Sequence, residues 1–258
     1  MKLSANVSLM YTGQTLEVAL ANARADGFHA VEILFPYQHA PEQLAQELHN
    51  NGLQLTLINT PLGSNGEKGL AGLPGREDEF RQGLQQALRV CADTGCTLVH
   101  VMAGCPDTTR HEQARATLLN NLAHALPAAQ AAGITLLLEA LNRHDVPGYL
   151  YWQPQQVLPL LQALNSEHLG LQFDFYHTQK EGLSIPNELN ACKGFIRHVQ
   201  FAAPEGRHEP NLHNPDVRQG LIALRDQGYS GWIGCEYTPA GTVAEGLSWR
   251  DHYAALLD

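Results

Sequence analysis

Four polar side chains stand at the ends of apolar runs in the second half of this chain. They are Glu139 in "ITLLLEA", Asp174 in "LGLQFDF", Gln200 in "IRHVQFA" and Glu236 in "GWIGCEY". The separations are 35, 26 and 36 residues, each about one strand plus a returning helix. An ionised carboxylate buried without a partner is costly, and a structural ion pair or a helix cap is enough to explain one. Three carboxylates meeting at one place repel, and at least one must hold a proton unless a cation joins them. With the Gln200 amide they form an all-oxygen set that suits Mg2+ or Mn2+, Zn2+ being less favoured without histidine or thiolate donors. Two glutamates flanking a small molecule could also take a proton from one carbon and return it to the next, through an enediolate.

Such residues meet only if the chain closes on itself. Eight short apolar runs occupy 2–9, 30–35, 53–59, 97–103, 134–140, 169–175, 196–202 and 231–237. Near-continuous hydrophobicity over that length suits parallel strands covered on both faces. Segments of helical pattern separate them, and several end at a glycine (Gly27, Gly52, Gly95, Gly133) placed to relieve a left-handed C-terminal position. Eight strands alternating with helices predict an α/β fold, a single (β/α)8 TIM barrel over residues 1–258. A doubly wound open sheet is the alternative. It normally has fewer strands, and no G-x-G-x-x-G follows the first strand.

The formal charge of −10, from 26 acidic and 16 basic residues, would repel a phosphate backbone, so no nucleic-acid partner is expected. No leader-like or membrane-spanning run is read, so no membrane partner is expected. Five cysteines without a C-x-x-C pair predict reduced thiols and a cytoplasmic protein. The partner expected is a small oxo-acid or sugar substrate. Apolar helix faces of a barrel are as compatible with a homo-oligomer as with a monomer.

Around the four strand ends lie further candidates. His177, three residues after Asp174, is placed to hydrogen-bond a substrate oxygen, or is a solvated loop residue. Arg207, after the seventh run, could fork onto a substrate carboxylate, or pair with Glu205 or Glu209; its neighbour His208 could serve either purpose. His100 ends the fourth run, as a substrate contact or a core histidine. Glu32, in "VEILF", reads as an orienting residue or a buried salt-bridge member. The connection "TPLGSNGEKGLAGLPGRE" (60–77) is long where ~2–6 residues would suffice, and reads as a surface insertion or a mobile lid.

The motifs "LLLEALNRHDVPGY", "LQFDFYHTQ", "RHVQFAAPEGRHEP" and "GYSGWIGCEYTP", with "INTPLG…GLAGLPGRE" and "VHVMAG", make the chain resemble the hydroxypyruvate isomerase family. That family lies among the xylose isomerase-like barrels, with the sugar 3-epimerases and 2-oxo-tetronate isomerases. The resemblance implies interconversion of hydroxypyruvate with 2-hydroxy-3-oxopropanoate. It implies catalytic roles for Glu139 and Glu236 as proton donor and acceptor. It also implies a metal at Glu139, Asp174, Gln200 and Glu236, the epimerases often having histidine at the third position. A 2-oxo-tetronate or ketose substrate is the alternative, and a non-catalytic sugar-binding barrel a remoter one. Apurinic-site endonucleases share the barrel but need a histidine-rich multi-zinc centre and a basic face.

Overall fold

The computed structural model describes residues 1–257. Its strands are β1 (Lys2–Asn6), β2 (Ala30–Glu32), β3 (Gln54–Asn59), β4 (Leu98–His100), β5 (Thr135–Glu139), β6 (Leu169–Asp174), β7 (Ile196–Phe201) and β8 (Trp232–Cys235). They are joined in sequence order into a closed parallel barrel, β8 pairing back onto β1 through Lys2 with Trp232 and Ala5 with Cys235. The strands are shorter than the apolar runs. In the first run, Val7–Met10 turns straight into a helical segment, α1.

Helices α2 (Leu16–Ala25), α3 (Pro41–Asn50), α4 (Glu77–Thr94), α5 (His111–Ala131), α6 (Leu158–Leu164) and α9 (Pro215–Asp226) fall where the pattern predicts them. α4 illustrates why. Phe80, Leu84, Ala87, Val90 and Cys91 recur on one face and are buried. Glu77, Asp78 and Glu79 favour its N-terminus through the helix dipole. Gly95 ends it at φ 73°, its N–H donating to the Cys91 carbonyl at 2.9 Å. Four further elements lie outside the segments read as helical from the sequence: α7 (Phe175–Lys180), α8 (Ile185–Ala191), α10 (Val243–Gly246) and α11 (Trp249–Leu257).

The apolar core lies between strands and helices, but the barrel axis is partly polar. Glu32 is fully buried there and accepts from three side chains: His198 Nε2 at 2.6 Å, Gln200 Nε2 at 2.8 Å and Asn6 Nδ2 at 3.2 Å. Its place as an orienting residue is thus supported by direct contact with Gln200. Space for this carboxylate comes from Gly234 on β8, where any Cβ would overlap the Glu32 carboxyl group. Gly234→Ala is therefore expected to reduce the unfolding free energy by about 1–3 kcal/mol. Urea denaturation followed by circular dichroism measures it, and an unchanged midpoint would contradict the crowding.

Candidate active site

Parallel strands of a closed barrel deliver their C-terminal residues to one mouth. His100 closes β4, Glu139 closes β5 and Asp174 closes β6; Gln200 lies one residue before the end of β7, and Glu236 follows β8 directly. A cavity of about 200 Å³ opens at this end, lined by Glu139, Glu236, His100, His177, Arg207 and Lys68 together with Leu34, Phe35, Met102 and Val146. Single oxygens of Glu139 and Asp174 and a ring nitrogen of His177 lie within 4.8 Å of one another. Glu139, Asp174 and Glu236 are buried, whereas a fourth carboxyl-bearing residue, Asp145, lines the cavity from an exposed position.

Gln200 sits deeper. Its Nε2 donates to Glu32, and its Oε1 accepts from Gln172 Nε2 at 2.6 Å. A carboxylate only accepts, so Glu32 fixes the amide with its nitrogen toward the barrel axis. The carbonyl oxygen keeps one lone pair beyond the bond from Gln172.

Asp174 caps α7, Oδ1 accepting from the Tyr176 N–H at 2.8 Å, while its buried Oδ2 has no hydrogen-bond donor. Oε1 of Glu139 is likewise buried and unpartnered. Oε2 of Glu139 stands 3.1 Å from His100 Nδ1. α7 begins immediately after β6 and turns His177 back over the mouth. There His177 Nδ1 faces the Asn142 N–H at 3.1 Å and the Asn142 Nδ2 at 2.7 Å. The backbone donor makes Nδ1 the acceptor, so Nε2 carries the proton and points toward Asp174 Oδ2 at 3.6 Å. His177 thus offers the cavity an N–H donor, and the close trio contains two oxygen ligands rather than three metal ligands.

Arg207 enters from the β7–α9 connection. Its Nη2 lies 2.5 Å from Glu236 Oε2 and 3.8 Å from Asp174 Oδ2, and its guanidinium stacks 4.6 Å from the Tyr176 ring centre. Its Nε reaches the Glu236 carbonyl oxygen at 3.3 Å. The expected partners Glu205 and Glu209 are not used, and the expected fork toward a substrate is largely taken up by two carboxylates of the chain itself. Arg207 holds φ at 54°, following Gly206 at φ 70°. A non-glycine residue in this region stores strain, and such residues gather at functional sites. His208 turns away, its Nδ1 2.8 Å from the Thr238 carbonyl oxygen.

The electrostatics follow from this crowding. Burial pushes Glu139 well above the ordinary carboxylic range, with the charges of Glu236 and Asp174 adding to it. Burial raises Glu236 to about 8 and Asp174 to about 6, Arg207 opposing both. Burial pushes His177 well below its ordinary value and His100 down to about 3, so both are neutral at pH 7.

The loop at 60–77 is docked along the chain leaving β4. Gly69 bridges Ala103, Ala71 N donates to Met102 O at 3.2 Å, and Gly72 N donates to Ala103 O at 2.8 Å. It forms a wall of the cavity and contributes Lys68, which sequence reasoning passed over. Asn142, which sets the His177 tautomer, was also missed. A lone lysine in a glycine-rich loop and an asparagine just past a strand end were the available signals.

The family model described as Xylose isomerase-like TIM barrel matches residues 20–253. This chain belongs to the xylose isomerase-like TIM barrel family. Among its relatives in that family, the 2-oxo-tetronate isomerase of Cupriavidus necator is 39% identical over 255 residues, 98% of each chain. The hydroxypyruvate isomerase of Escherichia coli K12 is 34% identical over 256 residues, 98% of this chain and 99% of that one. A crystal structure described as AP endonuclease, family 2, from Brucella melitensis superposes with a TM-score of 0.93 at 32% identity, covering 98% of both chains. The xylose isomerase-like barrel expected from the motifs is thus borne out along nearly the whole chain.

These carboxyl groups carry a consequence for stability. Glu236 binds its proton more tightly in the folded protein than in the unfolded chain, so without a cation its contribution is lost as pH rises from its ordinary 4.5 through about 8. His100 acts in the opposite sense below its ordinary 6.5, so the carboxyl effect is cleanest above neutrality. With chelator present, the melting temperature is expected to fall between pH ~7 and ~8.5, and to fall less in Glu236→Gln. Equal slopes for the two proteins would contradict the burial assigned to this group.

Proposed function

We propose that this protein is an isomerase that interconverts hydroxypyruvate and 2-hydroxy-3-oxopropanoate by proton transfer between two glutamates. The observation that carries the reading is the pair Glu139 and Glu236, two buried carboxyl groups whose proton affinity burial raises, facing one small cavity. About 200 Å³ is below the ~300 Å³ of sites for drug-sized ligands, which suits a three- or four-carbon acid. The names of the relatives supply the reaction class.

Isomerisation removes a proton from C3 of hydroxypyruvate, passes through the enediolate, and adds a proton at C2, while the hydroxyl proton moves from the C3 oxygen to the C2 oxygen, leaving the carbonyl at C3. The two glutamates are not equivalent. Arg207 lies against Glu236 and favours its ionised form, whereas the carboxyl of Glu139 stands beside neutral His100 with no cation in contact, and burial favours its protonated form. Glu236 therefore takes the C3 proton, and Glu139 delivers one to C2. The His177 Nε2–H is placed to donate to the oxygen that gains charge in the enediolate. Leu34, Phe35, Met102 and Val146 form a wall that excludes water from the intermediate.

The site also suits a divalent cation. The unpartnered oxygens Glu139 Oε1 and Asp174 Oδ2 and the excess of carboxyl groups over cations fit one, and the donor set is all oxygen, which favours Mg2+ or Mn2+ over Zn2+. Glu139, Asp174, Gln200 and Glu236 would hold it. When bound, such an ion supplies a Lewis acid for the substrate's carbonyl and hydroxyl oxygens. A 2-oxo-tetronate is the second substrate reading, favoured by the 39% identical relative that bears that name.

Turnover of hydroxypyruvate in D2O, followed by NMR, tests the proposal through solvent deuterium incorporated at carbon. Glu139→Gln and Glu236→Gln are each expected to reduce kcat by about a hundred- to ten-thousand-fold with unchanged circular dichroism. Near-normal rates in both variants would refute the assignment. Values of kcat/KM for hydroxypyruvate and 2-oxo-tetronates rank the two substrates.

A further inference from the structure

A 2-oxo acid brings a carboxylate into the cavity, and that charge needs a counter-charge. Of the chain's lysines and arginines, two line the cavity: Arg207 and Lys68. Arg207 is committed to Glu236 and Asp174, with Nη2 and Nε both engaged. Lys68 has no carboxylate within ion-pair distance among the described residues; its neighbour Glu67 pairs instead with Arg76 at 2.7 Å.

The backbone around Lys68 is held from both sides. The Glu67 carbonyl accepts from Cys105 N at 2.9 Å, and Gly69 N donates to the Leu62 carbonyl at 2.8 Å. Gly69 itself, at φ 121°, presses so closely on the Met102 backbone that no side chain fits there. Between these anchors Lys68 adopts φ 57°, a left-handed conformation that a glycine would take without strain. It thus shares two properties with Arg207: a cationic side chain lining the cavity and a strained backbone presenting it. The loop is pinned to the end of β4, and β4 lies four strands from β8 in the eight-strand ring. Lys68 therefore stands across the mouth from Glu236.

We propose that Lys68 binds the carboxylate of the substrate and makes the site selective for 2-oxo acids over uncharged ketoses. The inference rests on the proposed oxo-acid isomerase activity and adds the group that recognises the acid end. The carboxylate at Lys68 sets the molecule across the mouth, with C2 and C3 lying toward Glu139 and Glu236. Lys68 is exposed among the residues that line the cavity, so its ammonium is free to make a charge-assisted hydrogen bond to that carboxylate.

Steady-state kinetics of Lys68→Gln, Lys68→Gly and Lys68→Arg decide it. Loss of the charged contact is expected to raise KM for hydroxypyruvate about 10- to 100-fold, with kcat changing less than about threefold, and Lys68→Arg is expected to recover most of the affinity. Lys68→Gly removes the backbone strain, so a KM increase shared with Lys68→Gln cannot come from a distorted loop. An unchanged KM in both, or a loss confined to kcat, overturns the assignment. Should the wild-type protein turn over neither hydroxypyruvate nor 2-oxo-tetronates, the functional reading fails separately. In that case calorimetric titration with D-glycerate tests Lys68 directly: binding to the wild type that is weakened in Lys68→Gln supports the role, whereas equal binding, or none to either, overturns it.

Discussion

Three buried carboxyl groups share one end of this barrel, with one guanidinium among them. Their mutual repulsion is the constraint on which the rest of the mouth depends. Each group meets it differently. Asp174 gives one oxygen to the start of α7, Glu236 leans on Arg207, and Glu139 is left with an uncharged imidazole and a raised proton affinity. Similar side chains thereby acquire different acidities, which is what a proton shuttle between adjacent carbons requires. The same imbalance of charge draws in the Arg207 side chain, held on a strained backbone, and is what the proposed cation would offset.

A second layer holds this arrangement in place. Glu32 on the barrel axis orients Gln200, and Gln200 in turn receives the Gln172 amide. Asn142 settles which nitrogen of His177 carries the proton. Tyr176 supports Arg207 from below with its ring while its hydroxyl donates to Asp145 at 2.5 Å. Each of these residues acts on the orientation or charge of a neighbour that faces the cavity, so the geometry of the mouth is set well beneath its surface.

Much of this was legible in the sequence, for a definite reason. Parallel strands covered on both faces are predominantly apolar, so a polar residue at the end of a run stands out, as Glu139, Asp174 and Glu236 do. The closed order of eight strands then follows from their number and alternation. What could not be read depends on contacts between distant segments. Whether Arg207 would meet Glu209 or Glu236 is decided by a turn through Gly206. The loop at 60–77 looked free because glycine-rich composition does not reveal hydrogen bonds to Met102 and Ala103. Short helices such as α7 and α8 have too few turns to build a periodic signal. Gln200 was legible as a strand-end amide, but its engagement with Glu32, more than 160 residues away, was not.

The Glu32 arrangement also bears on how such a protein can diverge. Its acid, its donors and the gap that admits it come from four different strands: Asn6, Glu32, His198 with Gln200, and Gly234. A lineage that exchanged the acid for an apolar residue would strand three donors and open a void beside a glycine. Drift at these positions is therefore expected to be concerted, and an alignment of descendants would register it as covariation between the first, second, seventh and eighth strands.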